Sequence, residues 1–483
     1  MNCATRILVA LIGLTFAAFT ASAAKPNILF ILADDLGWKD TGCGGSDFYE
    51  TPNIDRLARQ SLVFTAAYSG GANCQPSRGC LMSGQYTPRH GIYAVKTTVR
   101  GPVNLMRLVA IPNQSQLAPE KVTVAEALKA AGYATGIFGK WHLGEKASHP
   151  RNQGFDVVTD LFSHGGNGVN ENPKSVYSIT KAAGEFMEKN QDRPFFAYVA
   201  HHAIHGPLQA QAATWEKFKA KTPGQQHTNT LYAACTSELD EGVGILLKKL
   251  ADLGLEEKTL VVFTSDNGGT TDSSQSPLRC NKGSYYEGGL RVPLMVRWPG
   301  IIQPGTRCDA PVINLDFYPT FLEITGAAPP KDTPLDGESL LPLFKGGASL
   351  KRSAIFWHMP GYIDEPTSDT RDSIFRTPPV SVIRKGDWKL HLFHEEWQLA
   401  GGRAGLATNN AVELYNLAAD LGERKNLALS NTAKRDELLT DLLHWMESVK
   451  APMPTEKNPE YRPDATETQK LGKKPKKKKF KEN

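Results

Sequence analysis

The chain has 483 residues, 40% hydrophobic and 22% charged, the balance of a globular protein long enough for more than one domain. Its net charge of +5 misleads: seven lysines and one glutamate fall in the last thirteen residues, a surplus of six that leaves −1 for the rest. A near-neutral body excludes a nucleic-acid-binding protein, and the seven scattered cysteines, with no CxxC, exclude a dense disulfide scaffold.

The chain opens with Arg6, an apolar run from Ile7 to Phe19, and Ala21-Ser22-Ala23. That is the charged start, short apolar core and small-residue cleavage site of an export peptide. The run falls short of the about 20 residues a membrane span needs. We expect a signal peptide over 1–23, which removes Cys3, and a secreted or periplasmic protein with no transmembrane span. The next run, "NILFILADDLG" (27–37), is continuously apolar and ends in Asp34 and Asp35. "ANCQPSRGCLMSGQYTPRHG" (72–91) follows, with Pro76 suited to a first helical turn. "TVAEALKAAG" (123–132) reads as a helix, with a Thr123/Glu126 capping box and Gly132 at its end. "YATGIFGKWHLG" (133–144), "RPFFAYVAHHAIHGP" (193–207) and "KTLVVFTSDNGG" (258–269) repeat the strand-and-loop theme. Unbroken apolar strands separated by helices predict α/β architecture, with a mostly parallel sheet covered on both faces.

After about residue 345 the texture changes. "SVIRKGDWKLHLF" (381–393) and "VELYNL" (412–417) alternate and predict an antiparallel sheet. "KRDELLTDLLHWMESV" (434–449) predicts an amphipathic helix. We expect a large α/β domain over 25–345, a smaller α+β domain over 346–452, and a disordered Lys-rich tail over 453–483.

Four apolar runs end in polar groups: Asp34-Asp35, then Lys140 and His142, then His202 and His205, then Asp266-Asn267. Open α/β sheets bind ligands beyond the carboxyl ends of their strands, so four strands would deliver these groups to one edge. Adjacent carboxylates repel unless a cation neutralises them. An all-oxygen set from Asp34, Asp35, Asp266 and Asn267 suits Ca²⁺ or Mg²⁺ rather than zinc. Cys74 precedes a helix start, where free N–H groups favour anions, and Arg78 adds a fork-shaped cation. From these residues alone Cys74 is a buried structural thiol or part of an oxyanion site. A disulfide to Cys80 is a poor fit, because Cys80 would lie most of two turns on.

"CQPSR" matches the C-x-P-S-R signature of the type I sulfatases, and "GQYTPRHG" resembles its continuation. "DDLGWKD", "GKWHLG", "TSDNGG", "LRCNKGSYYEGGLRVP" (278–293) and "VIRKGDWKL" resemble further segments of that family, in order, from Pro26 to about Val449. The resemblance implies an alkaline-phosphatase-like α/β domain and a sulfuric ester hydrolase. It implies that Cys74 is oxidised to formylglycine by a formylglycine-generating enzyme. One hydroxyl of the aldehyde hydrate would attack sulfur, and loss of the second hydroxyl's proton would expel sulfate. It implies one Ca²⁺ held by Asp34, Asp35, Asp266 and Asn267, with residue 74 also approaching it. Arg78 and Lys140 would hold the hydrate. Lys140 and Lys282 would neutralise sulfate oxygens, His205 or Lys282 would protonate the leaving oxygen, and His142 would take the hydroxyl proton. His202 stands behind these groups or faces substrate.

Two departures stand out. The family's P-H-x-P is here Ile204-His205-Gly206-Pro207, which bears on loop geometry. "NLAADLGERKNLA" departs from D-P-x-E in a segment expected far from the chemistry. A sulfated carbohydrate is the expected substrate, with a lean toward a marine polysaccharide such as carrageenan. In the insert at 92–122, Lys96, Arg100 and Arg107 either meet further sulfates or are ordinary surface charges. Two alternatives are a phosphonate or phosphate ester hydrolase of the same superfamily, and an inactive sulfatase-like glycan-binding protein.

Overall fold

The computed structural model describes residues 25–162, 165–331 and 333–464, so the expected signal peptide and the Lys-rich stretch from 465 lie outside the described residues. The first apolar run forms strand β1 (Asn27–Ala33). Seven more strands complete its sheet: β2 (Leu62–Phe64), β3 (Ala134–Gly139), β4 (Val157–Thr159), β5 (Phe195–Ala200), β6 (Thr259–Ser265), β7 (Leu294–Arg297) and β8 (Thr306–Cys308). Their order is β8-β2-β7-β6-β1-β5-β3-β4. The five strands from β6 to β4 run parallel, with Phe30 opposite Tyr198 on one side and Val262 on the other, while β7 runs against both its neighbours.

The period-2 geometry of β1 explains its unbroken apolar sequence. Ile28, Phe30 and Leu32 enter one core, and Leu29, Ile31 and Ala33 enter another on the opposite face. The second core packs against helices α1 (Pro52–Arg59), α4 (Val176–Lys189) and α5 (Thr230–Asp252). The first packs against α2 (Cys74–Ser83), α3 (Val124–Ala130) and α6 (Phe317–Thr325). The predicted capping box is present on α3: Glu126 N–H donates to Thr123 Oγ1, and Thr123 N–H to Glu126 Oε2. No described helix is long and apolar enough to cross a membrane.

The four strands β9 (Ala354–Met359), β10 (Val380–Lys385), β11 (Trp388–Phe393) and β12 (Val412–Asn416) form the antiparallel sheet. Helix α7 (Thr432–Ser448) covers it, with Trp445 stacked on Phe356 at 4.7 Å. This sheet shares a hydrophobic core with Tyr68, Ala72, Tyr285 and Leu290 of the large domain, so no linker separates the two. Beneath that seam lies a buried charge network. Lys389 Nζ sits 2.9 Å from Glu287 Oε1 and 3.0 Å from Glu423 Oε1, and Glu287 N–H donates to Glu423 Oε2 at 2.6 Å. The D-x-x-E acid, Glu423, therefore accepts from the backbone of Glu287, in the segment that follows Lys282. Replacing Lys389 with methionine would leave two carboxylates buried without their shared cation. We expect a loss of about 3 kcal/mol, read from the midpoint of urea unfolding at neutral pH.

The chain does not leave the body at residue 453. Val109 N–H donates to Glu456 O at 2.9 Å, Asn458 N–H to Arg107 O at 3.1 Å and Arg462 N–H to Asn104 O at 2.8 Å. The polar composition suggested disorder there, but these residues satisfy their backbone against the 92–122 insert rather than through a core of their own.

Candidate active site

Strands β6, β1, β5 and β3 are neighbours in that order, so the groups after their carboxyl ends converge on one edge. Asp34 and Asp35 follow β1, Asp266 and Asn267 follow β6, Lys140 and His142 follow β3, and His202 and His205 follow β5. Cys74 is the first residue of α2, after the extended N-cap Asn73. Lys282 arrives on the loop between β6 and β7. Arg376 Nη1 and Thr377 Oγ1 secure that loop by donating to the carbonyls of Lys282 (2.7 Å) and Gly283 (2.6 Å).

The side chains interlock. Cys74 Sγ lies 3.3 Å from Asp34 Oδ1 and 3.7 Å from Asp35 Oδ1. Lys140 Nζ is 2.5 Å from Asp34 Oδ2, and Lys282 Nζ is 2.7 Å from Asp35 Oδ2. Arg78 donates from Nε to Asp266 Oδ2 at 2.9 Å and from Nη1 to Lys140 O at 2.6 Å, with Nη2 2.8 Å from Asp266 Oδ2. Asn267 Nδ2 donates to Asp35 Oδ1 at 2.8 Å. Asp35 and His142 both have left-handed backbone, φ 68° and 61°, which is uncommon away from glycine and recurs at functional sites. The Ala203–Ile204 and Gly206–Pro207 peptides are cis, and His205 Nε2 lies 3.7 Å from Asp35 Oδ2. The missing family proline therefore does not take His205 away from the site.

Three carboxylates thus face three cations in a buried space. Burial pushes the Asp34 and Asp35 carboxyls up, but their lysines outweigh it and hold both below the usual range. Asp266 differs: burial and then Asp34 raise it to about 6, against Arg78. Asn267 Oδ1 is buried without a hydrogen-bond partner among the described residues. Ligand atoms of Asp34, Asp35, Asp266 and Cys74 lie within 4.8 Å of one another. An orphaned amide oxygen beside three carboxylates is the donor set of a hard divalent cation, and the residues fit calcium.

A cavity of about 610 Å³ opens over this set, lined by Asp34, Lys140, His142, His202, His205 and Lys174 among others. A second, of about 520 Å³, shares Lys96, His142, Leu161 and Phe162 with it. His142 Nδ1 has no partner among the described residues, and burial, then Lys140 and Arg78, lower its pKa to about 3. His202 is buried with Nε2 2.8 Å from Asp160 O, a bond that fixes its ring at the wall. Of the insert's cations, Arg100 pairs with Asp364 at 2.8 Å, Arg107 pairs with Glu396 at 3.3 Å and Lys121 Nζ donates to Gln85 Oε1 at 2.9 Å, while Lys96 lines the cavities. Cys80 is a free thiol near His90 and Gly70 O, not a partner of Cys74. Sequence reasoning missed Lys174, which sits in no motif; only the folding of its loop against β5's exit brings it to the cavity.

Comparison with known proteins gives the family. A family model described as Sulfatase matches residues 26–327, and one described as N-sulphoglucosamine sulphohydrolase, C-terminal, matches residues 280–451. A sulfatase of Formosa agariphila is 34% identical over 85% of this chain and 86% of its own length. Arylsulfatase A of Homo sapiens is 34% identical over 86% and 85%. N-acetylgalactosamine-6-sulfatase of Canis lupus familiaris is 30% identical over 89% and 87%. The crystal structure of Ps i-CgsB aligns with a TM-score of 0.70 at 28% identity, over 92% of this chain and 97% of that one. The same protein in complex with k-i-k-neocarrahexaose aligns with a TM-score of 0.69 at 29% identity, with the same coverage.

Proposed function

Because this chain belongs to the sulfatase family, we propose that it is an exported enzyme that removes sulfate from a sulfated carbohydrate, using formylglycine made from Cys74 and one calcium ion. One observation carries the reading: the Cys74 side chain lies 3.3 Å from Asp34 Oδ1 inside a buried set of three carboxylates and three cations. Burial, then the Asp266 and Asp34 carboxylates, push the thiol well above its ordinary pKa. A nucleophilic cysteine needs the opposite shift. The reading therefore takes residue 74 to act not as a thiol but as the hydrate of an aldehyde, whose hydroxyl attacks sulfur.

Asp34, Asp35, Asp266, Asn267 and residue 74 would hold the calcium ion, which supplies a Lewis acid for a sulfate oxygen. Lys140 and Lys282 neutralise the sulfate's charge as it builds in the transition state. Arg78 and Lys140 orient the hydroxyls of residue 74. His205 Nδ1 bonds to Gly206 O at 2.5 Å, which leaves Nε2 toward the site, and His205 or Lys282 gives the leaving oxygen its proton. His142, held neutral, takes the proton of the second hydroxyl as sulfate departs. The carbohydrate reading, and its lean toward a polysaccharide such as carrageenan, is supported by the Ps i-CgsB complex and by relatives named for N-acetylgalactosamine 6-sulfate.

A peptide mass spectrum over Cys74, from the native host, tests the reading. The expected peptide has exchanged the thiol and a hydrogen for a carbonyl oxygen. Unmodified Cys74 in a host that matures other sulfatases would leave an inactive glycan-binding relative. Chelation of calcium gives a second test. Activity is expected to fall by at least about 100-fold in EGTA and to return with Ca²⁺. Melting temperature should fall with it, since a ligand at 100 times its Kd stabilises the fold by about 2.7 kcal/mol. Full activity in EGTA would remove calcium from the mechanism.

A further inference from the structure

Lys174 is a buried lysine of the cavity that no motif accounts for. It precedes α4 with left-handed backbone (φ 52°), and its N–H donates to Gln209 Oε1 at 2.8 Å. The residue is only 2% exposed, yet it lines the cavity that holds Asp34, Lys140, His142 and His205. Among the described residues its ammonium has no hydrogen bond or ion pair. Every other cation at the reacting centre has one: Arg78 with Asp266, Lys140 with Asp34, Lys282 with Asp35. A buried cation with no direct ion pair is costly to keep: burial lowers its pKa, and the more distant Asp34 and Asp35 offset that only in part.

Lys96 stands where the two cavities meet. Its backbone is also left-handed (φ 66°), with its N–H on Gln75 Oε1 at 3.2 Å, and its ammonium is likewise unpaired among the described residues. Arg100 and Arg107 of the same segment are already committed to Asp364 and Glu396. The cavity therefore offers two cations beyond those that meet the scissile sulfate.

We propose that Lys174, with Lys96 at the rim, recognises a second anionic group on the substrate. The preferred substrate is then a saccharide that carries another sulfate or a carboxylate near the sulfate to be removed. This rests on the sulfatase reading and names the substrate class within it. A charge-assisted contact in a space shielded from water is stronger than the same contact at the surface, so Lys174 contributes more than Lys96.

The test is binding, measured by calorimetry in calcium-containing buffer on the Cys74→Ala protein, which needs no turnover. Three probes are titrated: a monosulfated disaccharide, the same disaccharide with a second sulfate, and the monosulfated disaccharide with a uronate carboxylate. At least one of the doubly charged probes is expected to bind tenfold or more tightly than the monosulfated one. Lys174→Met should abolish that gain and leave the monosulfated probe within twofold. Lys96→Ala should reduce the gain about threefold. Equal binding of all three probes would overturn the proposal, as would a Lys174→Met protein weakened equally toward all. Methionine fills the space without the charge, so its melting temperature should match or exceed that of the parent. A fall of several degrees would mean that Lys174 serves the fold instead. Loss of the sulfatase reading would register separately, as absence of sulfate-ester hydrolysis by the Cys74 protein.

Discussion

Cys74→Ala is expected to lower kcat toward sulfate esters by about 10⁴-fold or more, because it removes the reacting group and leaves only the electrostatics around it. Fold stability should change by no more than about 1 kcal/mol. The side chain is small, and Asp34 and Asp35 keep Lys140 and Lys282 as partners. Cys74→Ser carries the sharper test. A serine has one hydroxyl where the hydrate has two. It can take up sulfate but cannot expel it by releasing a second proton from the same carbon. The expected result is a single equivalent of product and a sulfated peptide over residue 74, read by mass spectrometry. Steady turnover by Cys74→Ser near the parent rate would show that no second hydroxyl is needed and would sink the formylglycine mechanism.

Arg78→Lys is expected to be nearly as damaging, although it keeps the charge. The guanidinium joins three elements: it extends from α2, donates from Nε to Asp266 after β6 and ion-pairs with it through Nη2, and donates from Nη1 to the Lys140 carbonyl after β3. A point cation cannot serve both directions. Asp266 already has the highest carboxyl pKa of the three, about 6, because burial and Asp34 oppose it and Arg78 is its main support. A lysine keeps the charge but cannot make both the Asp266 and the Lys140-carbonyl bonds, which costs about 1–3 kcal/mol of stability. The loop that carries Lys140 loses its anchor as well, so kcat should fall by about 10²–10³. Urea unfolding and steady-state kinetics on Arg78→Lys check both. Stability within 1 kcal/mol of the parent, with kcat within threefold, would show that charge alone suffices at position 78.

The convergence of the candidate site was legible because its groups sit at fixed offsets from apolar strands. Asp34-Asp35, Lys140, His142, His205, Asp266 and Asn267 each follow a run that can only be a buried strand, and strands of one parallel sheet end on one edge. Chain adjacency carries that convergence, so the sequence by itself points to these residues as one group. Cys74, Arg78 and Lys282 were legible through local motifs instead, since their spacing alone left Cys74 open between a structural thiol and an oxyanion site.

The tertiary structure decided what depends on contacts between distant segments, for which the sequence carries no local signal. Glu423 lies 136 residues from Glu287, yet it accepts that residue's N–H. Arg100, Arg107 and Lys96 are equivalent basic residues on paper. Only the packing of Asp364 and Glu396 against the first two leaves Lys96 to the cavity. Lys174 sits in a polar loop that reads as a surface turn, and the fold buries it beside Asp34's cavity. Sequence determines which residues follow which strand, because the backbone enforces it. Which charges are neutralised and which remain for a substrate is a sum over neighbours in space, and that sum exists only once the chain has folded.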